Sequence, residues 1–419
     1  VNESGVLERR DSRSIPSGTR EVRAFVVVRD ELARLPFMLE HHRRLGVDRF
    51  FVVDNGSTDG TSEHLRDLPD VHVFWTDVQY RNARLGIAWL EVLLEAFGRG
   101  SWCLLLDADE QFVYPNSETV ALGRFCETLD AKGLNCLATM FVDLYADAPI
   151  KLTQVTGNGS LLDRCRYFDR QGYHYLTTQA ALVPRVYGGP RARLFWPDVD
   201  LSRTLAQLSM AGRQAFSESH YLAANADVRL AIADGVFDSG LEHFLSYGWR
   251  EGRAVVMRPV PDWPEDRYVS SHADVQAAIA SGVVESGLEH FVRYGQFESR
   301  LLNPWPPCLS QVPLVRWQDG MRLRIGRHSL SGASWRRRDA VGGALLHFRL
   351  MADAAGRAHA SSHTTGGSSK DGSWTQENDR YAVVLASSPA LSAISELSVE
   401  YEGVSQLVDL GLIRELDEL

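Results

Sequence analysis

The chain has 419 residues, which at roughly 150 per domain suggests about three domains. With 44% hydrophobic and 23% charged residues it can build a large core, and this excludes disorder over most of its length. A net charge of −10 argues against a nucleic-acid partner, and no apolar run approaches the roughly 18–20 residues of a membrane-spanning helix.

No apolar signal-peptide core follows the first residues, and the five cysteines (103, 126, 136, 165 and 308) form neither a CxxC pair nor an even framework. Reduced thiols in a cytoplasmic protein are the expectation. Only Lys132, Lys151 and Lys370 are lysines among 44 basic residues. The arginine bias reads as genome composition, with guanidinium use at phosphate sites as the alternative.

Residues 1–20 are polar, without periodicity, and read as a flexible leader. Ala24–Val28 is a continuous apolar run that suits a strand covered on both faces. Apolar residues at helical spacing over Leu35–Leu45, after Pro36 and before Gly46, predict a helix. Strands are expected at Phe50–Val53, Val71–Trp75, Trp102–Leu106 and Asn135–Leu144, with helices at Thr61–Leu68 and Ala83–Phe97. This alternation predicts an α/β fold with a mostly parallel sheet, whose ligands would sit at the carboxyl ends of the strands.

An internal repeat follows. Phe216–Arg253 matches Trp263–Arg300 at about half its positions, with a period of about 47 residues and a shared Gly-Leu-Glu-His-Phe block. Each unit reads as two short helices around a glycine-containing turn. Glu242-His243 and Glu289-His290 could suggest metal ligands, but the apolar residues flanking them favour helix packing. One unit could hardly bury its apolar face alone, so the pair should pack together and could mediate a homo-oligomer. Residues 301–419 return to mixed character, with a Gly/Ser-rich stretch, Ser361–Ser373, expected as a mobile loop.

Two acidic blocks carry the chemistry. Asp107-Ala-Asp109-Glu110 directly follows the apolar WCLLL, so two carboxylates on an extended segment would share the carboxyl edge of the sheet. Like charges there need compensation, and a hard divalent ion bridging oxygens to a diphosphate would provide it; a solvated acidic turn is the plainer alternative. Asp54-Asn-Gly-Ser-Thr-Asp-Gly60 follows FFVV and could cap the next helix, or be only a glycine-rich turn. Gly56 stands where an EF-hand loop needs Asp or Asn, and neither a Walker lysine nor a GxGxxG accompanies the block.

Together the two blocks, each after a buried strand and about fifty residues apart, resemble the nucleotide-diphospho-sugar transferase (GT-A) fold of family 2-like glycosyltransferases. LPFMLEHHRRLGVDRFFVVDNGSTDGT and WCLLLDADEQFVYP resemble more narrowly the bacterial branch called glycosyl transferase family 2, type 4. VDLYADAP, GGPRARLF, VPLVRW and GALLHFRL look like later landmarks of that branch, so the resemblance covers about 21–200 and 305–419. Arg29-Asp30-Glu31 departs from the usual Asn-Glu pair after the first strand.

The resemblance implies a metal-dependent, inverting transfer of a sugar from a nucleotide donor, UDP-linked by expectation, to a bacterial glycan or glycolipid. Asp54, with Glu31 nearby, would contact the uracil or ribose. Asp107 would approach ribose or metal, Asp109 would bind Mn²⁺ or Mg²⁺, and His347 would complete the metal shell, with His328 as its rival or a diphosphate contact. Arg191, Arg193 and Arg316 are candidate diphosphate or acceptor contacts. Asp143 is the leading candidate for the catalytic base, with Glu110 and Asp169 competing.

These readings divide the chain into a leader (1–20), a first catalytic part (21–212), an inserted repeat module (213–300) and a second catalytic part (301–419). The protein would be cytoplasmic, at most peripheral to the inner face of the membrane. A sugar nucleotidyltransferase is a second enzyme reading, but the first loop lacks its Gly-rich phosphate segment. A glycan-binding or scaffolding protein acting through the repeats is the non-enzymatic one.

Overall fold

The computed structural model describes residues 7–17, 21–155, 160–176, 184–203, 205, 215–234, 237, 239–248, 251–253, 255, 258, 260, 263–295, 306–323, 330–332, 334–335, 340–354 and 373–418. The strands that build or flank the main sheet are β1 (Glu8–Arg9), β2 (Val22–Val28), β3 (Arg49–Asp54), β4 (Val71–Trp75), β5 (Trp102–Leu106), β6 (Glu110–Val113), β7 (Cys136–Asp143), β8 (Tyr167–Asp169), β9 (Tyr173–Leu176), β10 (Arg185–Gly188), β11 (Ser310–Arg316), β12 (Arg322–Leu323), β13 (Leu330–Ser331), β14 (Gly343–His347) and β15 (Ser398–Glu400). The helices between β2 and β11 that matter here are α1 (Leu35–Leu45), α2 (Thr61–Arg66), α3 (Ile87–Phe97), α4 (Leu122–Ala131), α5 (Leu161–Arg164) and α6 (Gly189–Phe195).

Nine strands form one sheet in the order β1-β4-β3-β2-β5-β11-β7-β14-β6. Strands β4, β3, β2 and β5 are mutually parallel. β11 runs against both β5 and β7, which restores the original direction in β7 and in its parallel neighbour β14. Six strands therefore point one way, and β1, β11 and β6 point the other. The carboxyl ends of β2, β3, β5, β7 and β14 consequently share one edge.

The central strands are largely apolar because helices cover the sheet: β5 and β7 are buried at every residue, and Phe25, Phe51 and Phe97 stack at about 5 Å. α1 closes at Gly46 in the left-handed conformation, φ 101°, which suits glycine. α3 starts later than the periodicity suggests. Arg84, Leu85 and Gly86 all have positive φ, and they separate a 3-10 turn over Tyr80–Ala83 from the helix at Ile87.

Both borders of the sheet are closed by side chains. At one, the stretch expected as a flexible leader instead lies along the sheet over residues 7–17. β1 pairs with β4, and Asp11 accepts hydrogen bonds from the Val73 amide (3.0 Å) and the buried His72 (3.1 Å). At the other, α1 presents His41 and His42 to β6. His42 Nδ1 donates to Met38 O (2.7 Å), its Nε2 accepts from the Phe112 amide (3.1 Å), and His41 Nε2 donates to Phe112 O (2.8 Å). The outward-facing backbone of β6 is thus paired without another strand.

The repeats lie between α6 and β11, in the interval between strands of one sheet. Among the described residues each unit has three short α-helices, not two: Glu218–Ala224, Ala226–Ala233 and Gly240–His243 in the first, Glu265–Ser270, Ala273–Ala280 and Gly287–His290 in the second. The extra break arises where Asn225 and His272 turn their side chains back onto the Tyr221 and Tyr268 carbonyls. Tyr221 pairs with His243 Nδ1 and Tyr268 with His290 Nδ1, each at 3.0 Å, while Glu218 and Glu265 accept the first amides of the third helices. His243 and His290 therefore serve packing. One apolar cluster joins both units to Leu176, Tyr187 and Ala192 of the sheet-bearing part. Of the Ser361–Ser373 stretch, only Ser373 is among the described residues, where the helix Ser373–Ser387 begins.

Candidate active site

The turns after β2 and β3 interlock. Asp30, at φ 54°, accepts the Thr58 amide (2.6 Å) and hydroxyl (3.2 Å), and its own amide donates to Ser57 Oγ (3.0 Å). Asp and Asn are among the few non-glycine residues that visit this left-handed region readily, so the departure from Asn keeps the turn. Asp59 accepts the Leu32 amide, and Thr61 Oγ1 accepts the Glu31 amide. The Glu31 side chain forms an ion pair with Arg34 (2.8 Å), which also holds Asp353 from beyond β14.

Asp54 ends β3 fully buried. Its Oδ1 accepts the Ser57 amide at 2.9 Å, whereas its Oδ2 is buried with no hydrogen-bond partner. A buried carboxylate oxygen without a donor is costly, and an N–H or O–H of a bound molecule would satisfy it.

Asp107-Ala-Asp109-Glu110 makes a tight link from β5 into β6. The Asp107 amide donates to Glu110 Oε2 (2.9 Å), and the Glu110 amide donates to Asp107 O (3.2 Å). Glu110, at 1% exposed, is spent in this turn. Asp109 stands at the edge, and its carbonyl takes the Phe348 amide.

β14 brings His347 into register with Asp143 on β7 and with Glu110 on β6. His347 Nδ1 lies 2.7 Å from Asp143 Oδ1, and Arg191 Nε from α6 donates to Asp143 Oδ2 at 2.7 Å. Phe141 lies beside both groups, 4.5 Å from the imidazole and 5.2 Å from the guanidinium. Burial alone would raise the Asp143 carboxyl. The Arg191 charge and the His347 hydrogen bond outweigh it and hold the group below the ordinary carboxylate range. A carboxylate only accepts, so Nδ1 carries the proton.

His347 Nε2 then faces Asp109 Oδ2 at 3.7 Å. In neutral imidazole that nitrogen is also an acceptor, so two lone pairs oppose each other unless a cation or proton lies between them. Asp107 is half-buried on the same turn, and no three His, Cys, Asp or Glu side chains converge on one point among the described residues.

The remaining expected residues divide. Arg193 is committed to Asp169, at 3.1 and 2.9 Å, and Asp169 also accepts the Tyr145 hydroxyl. Arg316 requires a correction. In antiparallel β11 it pairs opposite Trp102, the first residue of β5, so it lies at the far edge of the sheet with Asp130 as its ion-pair partner. The antiparallel direction of β11 is what carries it away from the carboxyl edge. His328 lies outside the described residues. Asp143 has both oxygens engaged, which the sequence could not show because its partners lie 48 and 204 positions away.

Residues 24–120 match the sequence profile of glycosyl transferase family 2. That segment is a family 2 glycosyltransferase domain. It contains Glu31, Asp54, Asp107 and Asp109, and the α/β sheet it begins is of the GT-A type. The match ends before β7, so Asp143, Arg191 and His347 lie beyond it. A comparison with curated proteins finds no match.

Among solved structures, S. aureus TarS 1-349 is 18% identical over 46% of this chain and 54% of its own, with a TM-score of 0.25. A longer S. aureus TarS structure is 15% identical over 67% of this chain and 43% of its own, with a TM-score of 0.26. A 4-diphosphocytidyl-2C-methyl-D-erythritol synthase is 21% identical over 31% and 64%, with a TM-score of 0.21. The chain thus spans between about two fifths and two thirds of these structures, and overlaps this low say nothing further about it. No helix among the described residues is long and apolar enough to cross a membrane.

Proposed function

We propose that the protein is a divalent-metal-dependent, inverting glycosyltransferase that takes a sugar from a nucleotide donor, a UDP-sugar by preference, and passes it to a glycan or glycolipid reached from the cytoplasmic side. The observation that carries this reading is the facing pair Asp109 Oδ2 and His347 Nε2 at 3.7 Å, set on the carboxyl edge of the sheet. A carboxylate and an imidazole whose other nitrogen is held by Asp143 would give a divalent ion one oxygen and one nitrogen ligand, a pair that suits Mn²⁺ better than Mg²⁺, and the Asp143 bond fixes the ring for it. Asp107 is close enough in sequence to contribute through the same turn. A bound ion would supply charge neutralisation for the departing nucleoside diphosphate.

The chain's own residues do the rest. Asp54 Oδ2 accepts the imide N–H of uracil or a ribose hydroxyl, with the Asp30–Thr58 and Glu31–Thr61 links holding that corner rigid. Asp143 orients His347 and does not act as the base, since Arg191 and His347 already use both its oxygens. Asp169 is engaged in the same manner by Arg193 and Tyr145.

Calorimetric titration with UDP, CDP and GDP, with and without Mn²⁺, tests this reading. UDP should bind in the presence of Mn²⁺, and Asp109→Ala should weaken it at least tenfold. Arg316→Ala, at the opposite edge, should leave binding unchanged. Absence of nucleoside diphosphate binding in every condition would overturn the reading.

A further inference from the structure

Beyond the carboxyl end of β7 lies a cleft of about 270 Å³. Its position follows from the chain path. Tyr145, two residues past Asp143, exchanges both backbone hydrogen bonds with Tyr167, which lays β8 alongside the extension of β7. Asp169 ends β8 on one wall of the cleft, and Arg193 reaches it from α6. The same helix, two residues earlier, holds Asp143 through Arg191. One helix therefore borders both the cleft and the Asp143–His347–Asp109 line.

The cleft also marks the seam where the repeat module joins. Leu201 and Ala192 line it and belong to the apolar cluster of the repeats, while Trp196 lines it from the cluster around Phe195 and Tyr381. Ligand sites favour such junctions between separately packed units.

The lining chemistry disfavours anions and suits an uncharged, polyhydroxylic ligand. The Asp169 and Arg193 charges cancel within a two-bonded pair, so neither is offered to an anion. His174 is half-buried, and burial lowers its pKa, leaving a neutral imidazole near Ser202 Oγ (3.4 Å). Asp200 adds an acceptor and a negative charge that would oppose phosphate. The Gln171 amide, the Asp200 carboxylate and the Ser202 hydroxyl in the lining suit sugar hydroxyls, which both donate and accept. The volume lies just under the roughly 300–1,000 Å³ of drug-sized pockets, the scale of a short saccharide end.

Building on the transferase reading, we propose that this cleft is the acceptor subsite and takes the non-reducing end of a neutral saccharide. The module at its wall then shapes which acceptor fits.

Saturation-transfer NMR on the full chain tests this with methyl glycosides of glucose, galactose, mannose, rhamnose and N-acetylglucosamine, and with inorganic phosphate as a separate arm. UDP binding with Mn²⁺ is measured on the same samples. At least one glycoside should bind. Ser202→Trp, which fills the mouth of the cleft from an exposed position, should abolish its signal, and His174→Ala should weaken it about tenfold. UDP affinity should not change in either variant. Retained UDP binding with no glycoside signal, glycoside binding indifferent to both variants, or phosphate binding in place of glycosides would each overturn the proposal. Glycoside binding without UDP binding would instead support the cleft and count against the donor reading.

Discussion

Asp143 and Arg191 offer the sharpest energetic test. Both are almost wholly buried, and each Asp143 oxygen takes one charge-assisted bond of 2.7 Å. Asp143→Asn removes the carboxylate facing a buried guanidinium, and breaking a buried ion pair from one side costs about 3–5 kcal/mol. Arg191→Met leaves the carboxylate with His347 alone. The His347 Nδ1 hydrogen bond still satisfies Oδ1, so this variant should fall at the lower end of that range. The double variant removes both charges and should cost well below the sum, because no uncompensated charge stays buried.

Urea unfolding monitored by circular dichroism gives these values at pH 7.5. The pH dependence supplies a second check. Because the folded pKa of Asp143 is depressed, its contribution is fully present above the unfolded carboxyl value of about 4. It is lost as the pH falls through the lower folded value, so wild type and Asp143→Asn should converge under strongly acid conditions. Single variants each costing less than about 1 kcal/mol, or a double variant equal to their sum, would refute the buried-pair argument.

Two further outcomes follow from the packing. His42 must stay neutral to accept the Phe112 amide, and burial drives its pKa well down, so its contribution is full above the unfolded value near 6.5. It should fall by up to about 1.4 kcal/mol per pH unit below that. Unfolding between pH 7.5 and 5.5 should therefore show a shallower slope for His42→Gln than for wild type, and equal slopes would contradict the assignment. In the repeats, a Cβ at Gly248 would meet Tyr221 Oη at 2.1 Å. Gly248→Ala should cost about 1–3 kcal/mol, and adding Tyr221→Phe should restore part of it despite losing the His243 bond. A double variant less stable than Gly248→Ala alone would show that the clash is not the cause.

β2, β3, β4, β5 and β7 and helices α1, α2 and most of α3 were legible because each is a continuous apolar run or a helical period, which local sequence carries, whereas β6 and α4 were not expected. Where the reading slipped, the cause was long-range. The 7–17 stretch has no apolar pattern because it sits on an edge, held by Asp11 to His72 and the Val73 amide instead of by a core face. VPLVRW was noticed only as a landmark, without a strand direction, so nothing local showed that Arg316 lies at the far edge. Asp54, Asp107 and Asp109 stood out as candidates because they lie at or just past the ends of apolar strands. That Asp143 is locked by Arg191 and His347 was not legible. Pairing across 48 and 204 positions leaves no local trace.

The same contrast bears on the repeats. The chain leaves the sheet-bearing part after α6 and returns at β11, where the Leu309 amide bonds Val186 O in β10 at 2.7 Å and Cys308 packs on the repeat cluster. Departure and return thus meet on the β10–α6 wall. The corner formed by β2, β3 and β5, which carries Asp54 and the Asp107 turn, lies across β11 and β7 from it. Change within the module can reshape the wall near Arg193 and Trp196 while leaving that corner's hydrogen bonds untouched. A route from it into the line that ends at Asp109 runs through Arg191, because α6 packs on the module through Ala192 and grips Asp143 through its neighbour. A module variant that altered nucleotide affinity should therefore also move the stability or pH response assigned above to the Asp143–Arg191 pair, and one that altered saccharide binding alone should not.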